Sequence, residues 1–298
     1  MRTFDGLDLH VHVHGPPDAP VTAVLAHCWT ADREDWHYQV EELQRTFGHA
    51  VRILTWDHRG HGRSDRARTA ACTIPHLARD MGDLIDTHAP RGRLVLAGHS
   101  IGGMTMMSLA EERPDLLERV AGALFVATSS GRLDTVTLGL PEMHPAAKAA
   151  IPRVLAARAA LLTRRQRRAQ PRVERSVVRR FLFGEPARLR DQGLVVDQLI
   201  RCPPETMEGF YRDFMAHERT GSVKAFDDVP TRVLVGDRDR LTPPHHARRL
   251  AAAIDGARLL IAPGAGHMLT LERHELVSSE LVDLVRGALP AASSGEGA

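Results

Sequence analysis

The chain has 298 residues, of which 43% are hydrophobic and 26% charged, and its formal net charge is only +2. This balance supplies enough apolar residues for a large core and excludes a highly charged disordered chain. Three scattered cysteines, Cys28, Cys72 and Cys202, argue against a disulfide scaffold and suit a reducing compartment. The start lacks the apolar stretch of a signal peptide, and no apolar run reaches the ~18 residues of a membrane span. We therefore expect a cytoplasmic protein.

The first part of the chain alternates apolar runs with helical stretches. Apolar and polar residues alternate over residues 7–13, which predicts a half-buried strand. Nearly continuous apolar runs at residues 21–26, 51–56, 94–97 and 120–127 predict strands that are buried on both faces. The stretches between them include helical patterns at residues 74–88 and 101–112. This alternation predicts an α/β protein with a mostly parallel, doubly wound sheet.

The strand pattern stops near residue 130 and resumes near residue 226. Residues 131–225 have only helical segments rich in Ala, Leu and Arg. A strand at 229–235, a helix at 245–254, a strand at 257–261 and a helix at 276–289 follow. The sequence therefore predicts an α/β core of residues 1–130 and 226–298 interrupted by a helical insertion of residues 131–225. The small, polar residues 290–298 predict a disordered tail.

One turn carries a nucleophile motif. Gly98-His99-Ser100-Ile101-Gly102 follows a buried run and opens a helical stretch, which is the strand–turn–helix setting that G-x-S-x-G requires. Small residues permit a strained turn that raises the Ser100 hydroxyl above the sheet, beside helix amides that stabilise negative charge. The alternative is a glycine-rich turn with a surface serine, and the setting favours the nucleophile.

Together with other motifs, this turn resembles the α/β-hydrolase fold family of serine hydrolases. The other motifs are His27-Cys28-Trp29, Asp57-His-Arg-Gly-His-Gly-Arg-Ser64, and Gly236-Asp-Arg-Asp239 with Pro263-Gly-Ala-Gly-His267. The resemblance covers all the predicted core strands. It implies that residues 131–225 are the variable cap of the family, inserted after the sixth strand, and that the enzyme needs no cofactor.

The resemblance also implies a triad in the chain order serine, aspartate, histidine. Ser100 is the implied nucleophile, His267 the general base and Asp239 the acid, with Asp237 as the fallback acid. A serine hydroxyl is a weak nucleophile until a base takes its proton, and a carboxylate fixes the tautomer of that base. A solvated turn aspartate is the alternative for Asp239.

The implied oxyanion donors are the backbone N–H groups of Ile101 and Trp29. Cys28 departs from the family pattern, which usually has glycine after His27, and its side chain makes the donor geometry less certain than the nucleophile. Cys28 itself is a poor alternative nucleophile, because no elbow presents it. Two interpretations of Trp29 stay open, since its ring can line an acyl pocket or pack under the cap.

One helical face in the insertion is apolar. Its residues fall at helical spacing: Met207, Phe210, Tyr211, Phe214 and Met215. Packing of the cap onto the core is the favoured interpretation. A roof over the substrate is the alternative, which makes Met207, Phe210, Tyr211 and Phe214 candidate substrate-binding residues.

Metal and nucleic-acid sites are weaker interpretations. His10, His12 and His14 share one strand face, but no third type of ligand lies nearby in sequence, so we expect a solvated face and no metal. Residues 131–225 hold 18 basic and 10 acidic side chains, densest at Arg164-Arg-Gln-Arg-Arg168. Few aromatic residues are interleaved, so we expect no nucleic-acid partner. Attraction of an anionic substrate is a minority interpretation.

These inferences converge on a serine hydrolase that cleaves a carboxylic ester or related acyl compound and whose partner is a small-molecule acyl substrate. A thioesterase and a carbon–carbon bond hydrolase use the same triad, so both stay open. A small-ligand sensor that keeps the triad with negligible turnover also stays open. The sequence does not decide the substrate or the oligomeric state.

Overall fold

The structure is a computed structural model that describes residues 1–133, Ala157 and 172–290. The strands in these residues, numbered in chain order, are β1 (Val11–His14), β2 (Val21–Ala26), β3 (Val51–Trp56), β4 (Arg93–His99), β5 (Val120–Val126), β6 (Thr231–Gly236) and β7 (Arg258–Ala262). They form one sheet in the order β1-β3-β2-β4-β5-β6-β7. Only β1 is antiparallel to its neighbour, β3. The predicted mostly parallel sheet is confirmed.

Helices connect the strands. In chain order they are α1 (His37–Phe47), α2 (Ile74–His88), α3 (Ile101–Glu112), α4 (Pro114–Leu117), α5 (Arg172–Phe181), α6 (Leu189–Arg201), α7 (Pro204–Met215), α8 (Pro244–Ala252), α9 (Leu269–Glu272) and α10 (His274–Ala288). Thr73 begins α2 as an N-cap whose hydroxyl accepts the backbone N–H of His76. None of the described helices is long and apolar enough to cross a membrane.

The sheet is buried on both faces. Successive residues of a strand point to opposite sides, so Val24 packs in one core while Leu25 packs in the other. The first core contains apolar side chains of α2, α3 and α8, and the second contains those of α1 and α10. All six residues of β2 are buried, which explains its continuous apolar run. The sheet is therefore doubly wound, as its sequence predicts.

The N-terminal region corrects two expectations. The predicted strand over residues 7–13 forms only at β1, because the first residues bond to one another: the N–H of Leu9 donates to the carbonyl of Met1, and Arg2 and Asp8 form an isolated bridge. Residues 1–133 hold five strands, and the described helices α5, α6 and α7 come between β5 and β6. Among the described strands, the insertion therefore follows the fifth and not the expected sixth.

The described part of the insertion is helical. It contains α5, α6 and α7, and an isolated antiparallel bridge joins Gly131 to Glu218 where the segment leaves and re-enters the sheet. The backbone N–H of Arg219 donates to the carbonyl of Ser130 at the same place. The basic cluster at residues 164–168 and the predicted tail beyond residue 290 lie outside the described residues. The division into core and cap stays a prediction.

Candidate active site

The loops after β2 and β4 lie side by side at one edge of the sheet. These strands are neighbours, and Ala26 at the end of β2 pairs with Gly98 near the end of β4. The helix after β2 covers one face of the sheet, and the helix after β4 covers the other. A crevice forms where connections diverge in this way, beyond the carboxyl ends of parallel strands. The candidate site is therefore at this edge.

Ser100 occupies a strained turn between β4 and α3. Its φ of 54° and ψ of −114° lie in a region that non-glycine residues seldom adopt. A β-carbon on Gly98 would come within 2.4 Å of the backbone of Gly102 and Gly103, and one on Gly102 within 2.2 Å of the Ala26 carbonyl oxygen. Only glycine fits at either position, so the motif spacing follows directly from close backbone packing.

The backbone of Ser100 is fixed, whereas its hydroxyl is not. The Ser100 N–H donates to the carbonyl of Val126 at 2.9 Å, and the Ser100 carbonyl accepts the Thr128 hydroxyl at 2.7 Å. The residue is 8% exposed. Within the described residues, the Ser100 hydroxyl makes no hydrogen bond. The elbow is thus held rigidly while its hydroxyl stays available.

Asp239 and His267 form a buried pair. The Nδ1 of His267 lies 2.9 Å from Oδ2 of Asp239. The other carboxylate oxygen, Oδ1, accepts the backbone N–H groups of Leu241 at 2.8 Å and Thr242 at 2.9 Å, and Oδ2 also accepts the Thr242 hydroxyl. These donors hold the carboxylate in one orientation. The fallback acid, Asp237, is exposed.

The loop that carries His267 is packed against β6 and against the insertion. A β-carbon on Gly236 would meet the carbonyl oxygen of Ala265 at 2.2 Å, so the end of β6 and this loop touch through their backbones. The His267 N–H donates to the carbonyl of Leu182, just after α5. The Glu272 carboxylate accepts the N–H groups of Gly184 and Gly266. The insertion therefore helps to position the histidine.

The two predicted oxyanion donors are unpaired in the part of the chain that the structure describes. The N–H groups of Trp29 and Ile101 donate no hydrogen bond within residues 1–133 and 172–290. The neighbours of Trp29 are tied down, because Cys28 N–H donates to Asp35 and Thr30 N–H donates to His61. Ile101 is the first residue of α3, where N–H groups have no partner in the helix. Both amides are thus available to an incoming oxygen atom.

The structure brings the predicted triad to one edge of the sheet but joins only two members directly. No hydrogen bond links the Ser100 hydroxyl to Nε2 of His267 in the described residues. The ring of His99, which precedes Ser100, lies 5.2 Å from the His267 ring, centroid to centroid.

Aromatic side chains of α7 pack on Trp29. The Trp29 ring meets Phe214 edge-on at 5.1 Å between centroids and lies 6.1 Å from Tyr211. These three residues are partly exposed. Met207 and Phe210, by contrast, are buried, and Phe210 packs with Ile101 and neighbouring core residues. The helical face therefore divides into a packed half and a half that remains accessible beside Trp29.

A cavity of about 1220 Å³ lies on the insertion side of the His267 loop. Arginines line it together with apolar and polar residues, and Glu185 is its acidic residue: Ser176, Arg179, Arg180, Phe183, Gly184, Glu185, Pro186, Ala187, Leu189, Gln192, Arg238 and Arg240. Neither Ser100 nor His267 lines this cavity. Arg238 and Arg240, which flank Asp239, are among its basic lining residues. The cavity itself is separate from the candidate site.

Candidate metal ligands occur at one place in the described chain. Donor atoms of Cys28, Asp35 and His99 lie within 4.8 Å of one another, and all three residues are buried. The strand histidines His10 and His12 are half-buried and stand with ring centroids 5.8 Å apart. The sequence did not single out Asp35 as a site residue. The only signal in the sequence was the position of Asp35 just before Trp36 at the end of a short polar stretch.

Three buried histidines support the oxyanion loop: His27, His58 and His61. Nδ1 of His27 bonds to the Cys28 carbonyl, and Nε2 of His27 accepts the N–H of His58. Nε2 of His61 accepts the N–H of Thr30, and its Nδ1 donates to the carbonyl of residue 59. In His27 and His61, one ring nitrogen therefore donates a hydrogen bond and the other accepts one. Burial lowers the pKa of all three, that of His61 to about 4.

Acid is expected to destabilise the protein through these histidines. Each ring stays neutral in the folded chain but takes up a proton when the chain unfolds below pH ~6.5. The free energy of unfolding is therefore highest above that pH and decreases as the pH falls toward 4. His61 alone should account for about 2 kcal/mol of lost stability at pH 5. Urea unfolding at pH 7 and pH 5 measures this loss.

A glutamine at position 61 provides the test. Its amide can accept from Thr30 and donate to residue 59, so His61→Gln keeps both contacts without a titrating group. We expect its loss of stability between pH 7 and pH 5 to be about 2 kcal/mol smaller than that of the wild type. His49→Gln, at an exposed position, is the matched control and should follow the wild type. An unchanged loss in His61→Gln would contradict the prediction.

Comparisons with known proteins agree with the fold. The chain is 28% identical over 291 residues to "Putative carbamate hydrolase RutD" of Variovorax paradoxus (strain S110), across 94% of this chain and 96% of that protein. It superposes on an esterase from Thermogutta terrifontis with a TM-score of 0.75, 22% identity and 97% coverage of both chains. An enol-lactonase from Burkholderia xenovorans LB400 gives a TM-score of 0.72 at 24% identity, across 94% of this chain and 97% of that one.

A family model settles the classification. The model described as "Alpha/beta hydrolase family" matches residues 23–280, which include the elbow and both members of the buried Asp239–His267 pair. The fold, the order of the motifs and this match agree. The chain belongs to the alpha/beta hydrolase family of enzymes.

Proposed function

We propose that the protein is a serine hydrolase that cleaves a carboxylic ester or a related acyl compound. The observation that carries the proposal is the buried 2.9 Å pair of Asp239 and His267 at the same sheet edge as Ser100 in its strained turn. A serine, a histidine and a carboxylate in this order are the parts that acyl transfer requires. Asp239 is preferred to Asp237 because it holds the histidine.

In the first half of the reaction, the Ser100 oxygen attacks the carbonyl carbon while Nε2 of His267 takes its proton. Asp239 holds the proton on Nδ1, which leaves Nε2 free to act as the base, and it stabilises the imidazolium that results. The tetrahedral intermediate then collapses. Its bond to the leaving oxygen breaks, and that oxygen takes the proton from His267. The acyl group remains on Ser100.

Water completes the cycle. It attacks the acyl carbon as His267 takes one of its protons, and the serine oxygen leaves with that proton. In both halves, negative charge develops on the carbonyl oxygen. The free N–H groups of Trp29 and Ile101 are the proposed donors to this oxygen, and the N-terminus of α3 adds a favourable dipole. Because the flanking residues of Trp29 are hydrogen-bonded, its amide needs little reorganisation.

The accessible aromatic residues beside the site suggest where the acyl group binds. Trp29, Tyr211 and Phe214 offer an apolar wall of partly exposed rings, whereas Met207 and Phe210 serve chiefly to pack α7 on the core. The relatives named above carry the words carbamate hydrolase, esterase and enol-lactonase. Esters, lactones and carbamates share a carbonyl group bonded to a leaving atom. An acyl compound is therefore the substrate class that we propose.

We propose residues 131–225 as the cap because their described helices stand between β5 and β6 and reach both His267 and Trp29. The cytoplasm is the proposed location on the basis of amino-acid usage. A thioesterase and a carbon–carbon bond hydrolase remain possible uses of the same triad, and turnover assays with thioesters and diketones distinguish them from an esterase.

Covalent labelling tests the proposed function. A fluorophosphonate should add one phosphonyl group per chain, and peptide mass spectrometry should place it on Ser100, since this serine alone lies at the elbow beside the free amides. Steady-state turnover of p-nitrophenyl esters should accompany labelling. Absence of labelling in folded protein would contradict the proposal. Stoichiometric labelling without turnover of any acyl compound in the panel would support a ligand sensor instead.

A further inference from the structure

A second aspartate–histidine pair lies directly beneath Ser100. His99 precedes the serine at the end of β4, and Asp35 belongs to a short turn after β2 (Arg33–Trp36). Nδ1 of His99 is 2.8 Å from Oδ2 of Asp35, and both residues are fully buried. The proposed reaction does not use either side chain. The pair is therefore buried and titratable but has no role in the proposed chemical steps.

Both ring nitrogens of His99 face acceptors. Nδ1 faces the Asp35 carboxylate, and Nε2 lies 2.9 Å from the backbone carbonyl oxygen of His267. A carbonyl oxygen cannot donate, and an ionised carboxylate only accepts. With Asp35 ionised, both bonds form only when each ring nitrogen carries a proton. In that state His99 is an imidazolium in a buried ion pair.

The electrostatics of the pair agree with this assignment. Burial lowers the pKa of His99, but the Asp35 carboxylate outweighs burial and holds the pKa above its ordinary value. For Asp35, burial raises the pKa, and the interaction with His99 outweighs it in the opposite direction. Each partner thus favours the charged form of the other. A charged pair beneath the site is also a rigid one, because separating the partners would leave a buried charge unpaired.

Asp35 extends the connection to two more backbone segments. Its Oδ2 accepts the N–H of Cys28 at 3.1 Å, next to the Trp29 amide. Its Oδ1 accepts the hydroxyl of Thr270 at 2.8 Å, three residues after His267. The pair therefore touches the oxyanion loop, the elbow and the histidine loop. These segments are far apart in sequence and contribute different parts of the proposed reaction.

We propose that Asp35 and His99 are positioning residues that fix the oxyanion loop, the Ser100 elbow and the His267 loop relative to one another. The proposal rests on the proposed function of that site. His99 anchors the His267 backbone, and Asp35 anchors the loop that presents the Trp29 amide. Misplacement of reacting groups by about 1 Å can cost on the order of 100-fold in rate, so such a link affects catalysis without touching substrate.

A metal is the alternative occupant of this position, since Cys28 completes a group of three ligand types. The contacts disfavour it. Both nitrogens of His99 are engaged as donors, so neither offers a lone pair to an ion. The ion pair accounts for every polar contact of the ring.

Nuclear magnetic resonance of ¹⁵N-histidine-labelled protein tests the charge state. In wild type at pH 7, His99 should give two protonated ring nitrogens, and its signals are identified by their loss in His99→Gln. Asp35→Asn should convert His99 to a neutral ring with one protonated nitrogen, because the carboxylate that favours the cation is gone. A neutral His99 in wild type would overturn the proposal.

Kinetics of the same variant test the role. Asp35→Asn should lower kcat for p-nitrophenyl esters about 10- to 100-fold and leave KM within about threefold, since the lost element orients reacting groups rather than binding substrate. Glu280→Gln is the matched control, because Glu280 is also a buried carboxylate in an ion pair. Its partner is Arg232, at the end of β6 away from the candidate site. Glu280→Gln should leave kcat unchanged. A folded Asp35→Asn variant with wild-type kcat would overturn the proposal.

A milder pair of variants covers the case in which Asp35→Asn does not fold. Thr270→Val removes only the hydroxyl that donates to Asp35, and Thr270→Ser keeps it. We expect kcat to fall severalfold in the valine variant and to be retained in the serine variant, whereas equal kcat values would overturn the role. Failure of the proposed function is distinguishable, because wild type would then resist fluorophosphonate while the ring protonation of His99 stayed as stated.

Discussion

Replacing Ser100 with alanine is expected to lower kcat for p-nitrophenyl esters by about 10⁴- to 10⁶-fold. The variant removes the attacking oxygen, and no other group at the elbow can form the acyl intermediate. The residual rate should reflect binding and the free amides of Trp29 and Ile101 alone. Because the Ser100 hydroxyl makes no hydrogen bond within the described residues, its removal should leave the urea midpoint nearly unchanged. Activity and unfolding measurements on one preparation separate these effects.

Ser129 provides the matched control for this variant. It is also buried, and its hydroxyl lies 2.7 Å from a histidine nitrogen, Nδ1 of His246. It follows β5 rather than an elbow, and its hydroxyl also bonds to the carbonyl of Gly131. Ser129→Ala should keep kcat within a few-fold of wild type. Loss of activity in Ser129→Ala together with retention in Ser100→Ala would identify the wrong serine as the nucleophile.

Replacing Asp239 with asparagine is expected to lower kcat by about 10⁴-fold. The N–H groups of Leu241 and Thr242 both donate to Oδ1 of the carboxylate, so the amide oxygen of an asparagine should take that position. Its NH₂ group would then face Nδ1 of His267. The histidine would have to accept at Nδ1 and carry its proton on Nε2, where it cannot take the serine proton.

The neighbouring aspartate controls for charge and chain position. Asp237 is exposed two residues earlier, and Asp237→Asn removes the same charge from the same turn. We expect its kcat to stay within about twofold of wild type, because an exposed turn charge has little influence on a buried pair. If Asp237→Asn lost activity and Asp239→Asn kept it, the fallback acid would replace Asp239. Rates measured across pH 6 to 9 show whether a variant lowers kcat itself or only shifts the pH optimum of activity.

Local patterns predict much of this structure because their causes are local. The runs at residues 21–26 and 51–56 coincide with β2 and β3, since a strand buried on both faces requires apolar residues throughout. The elbow was recognisable because Gly98 and Gly102 have no room for a side chain. Such steric requirements act over a few residues, so they are visible in the sequence as a local motif.

Other expectations depended on pairing between distant segments. The alternation over residues 7–13 is compatible with a strand, yet hydrogen bonds of Leu9 to Met1 limit the strand to β1. For Met207, Phe210, Tyr211 and Phe214, helical spacing predicted one shared face. Only packing on Trp29 and the core divided that face into accessible and buried halves.

The sequence by itself determined the family, the succession of strands and helices along the chain, and a short set of candidate residues, Ser100, Asp239 and His267 among them. The tertiary structure decided which aspartate meets His267 and how the loops are joined. Contacts that span 64, 168 and 235 residues link Asp35, His99, His267 and Thr270. The physical reason is that hydrogen bonds and burial depend on distance in space, and no local pattern records which distant side chains the fold brings together.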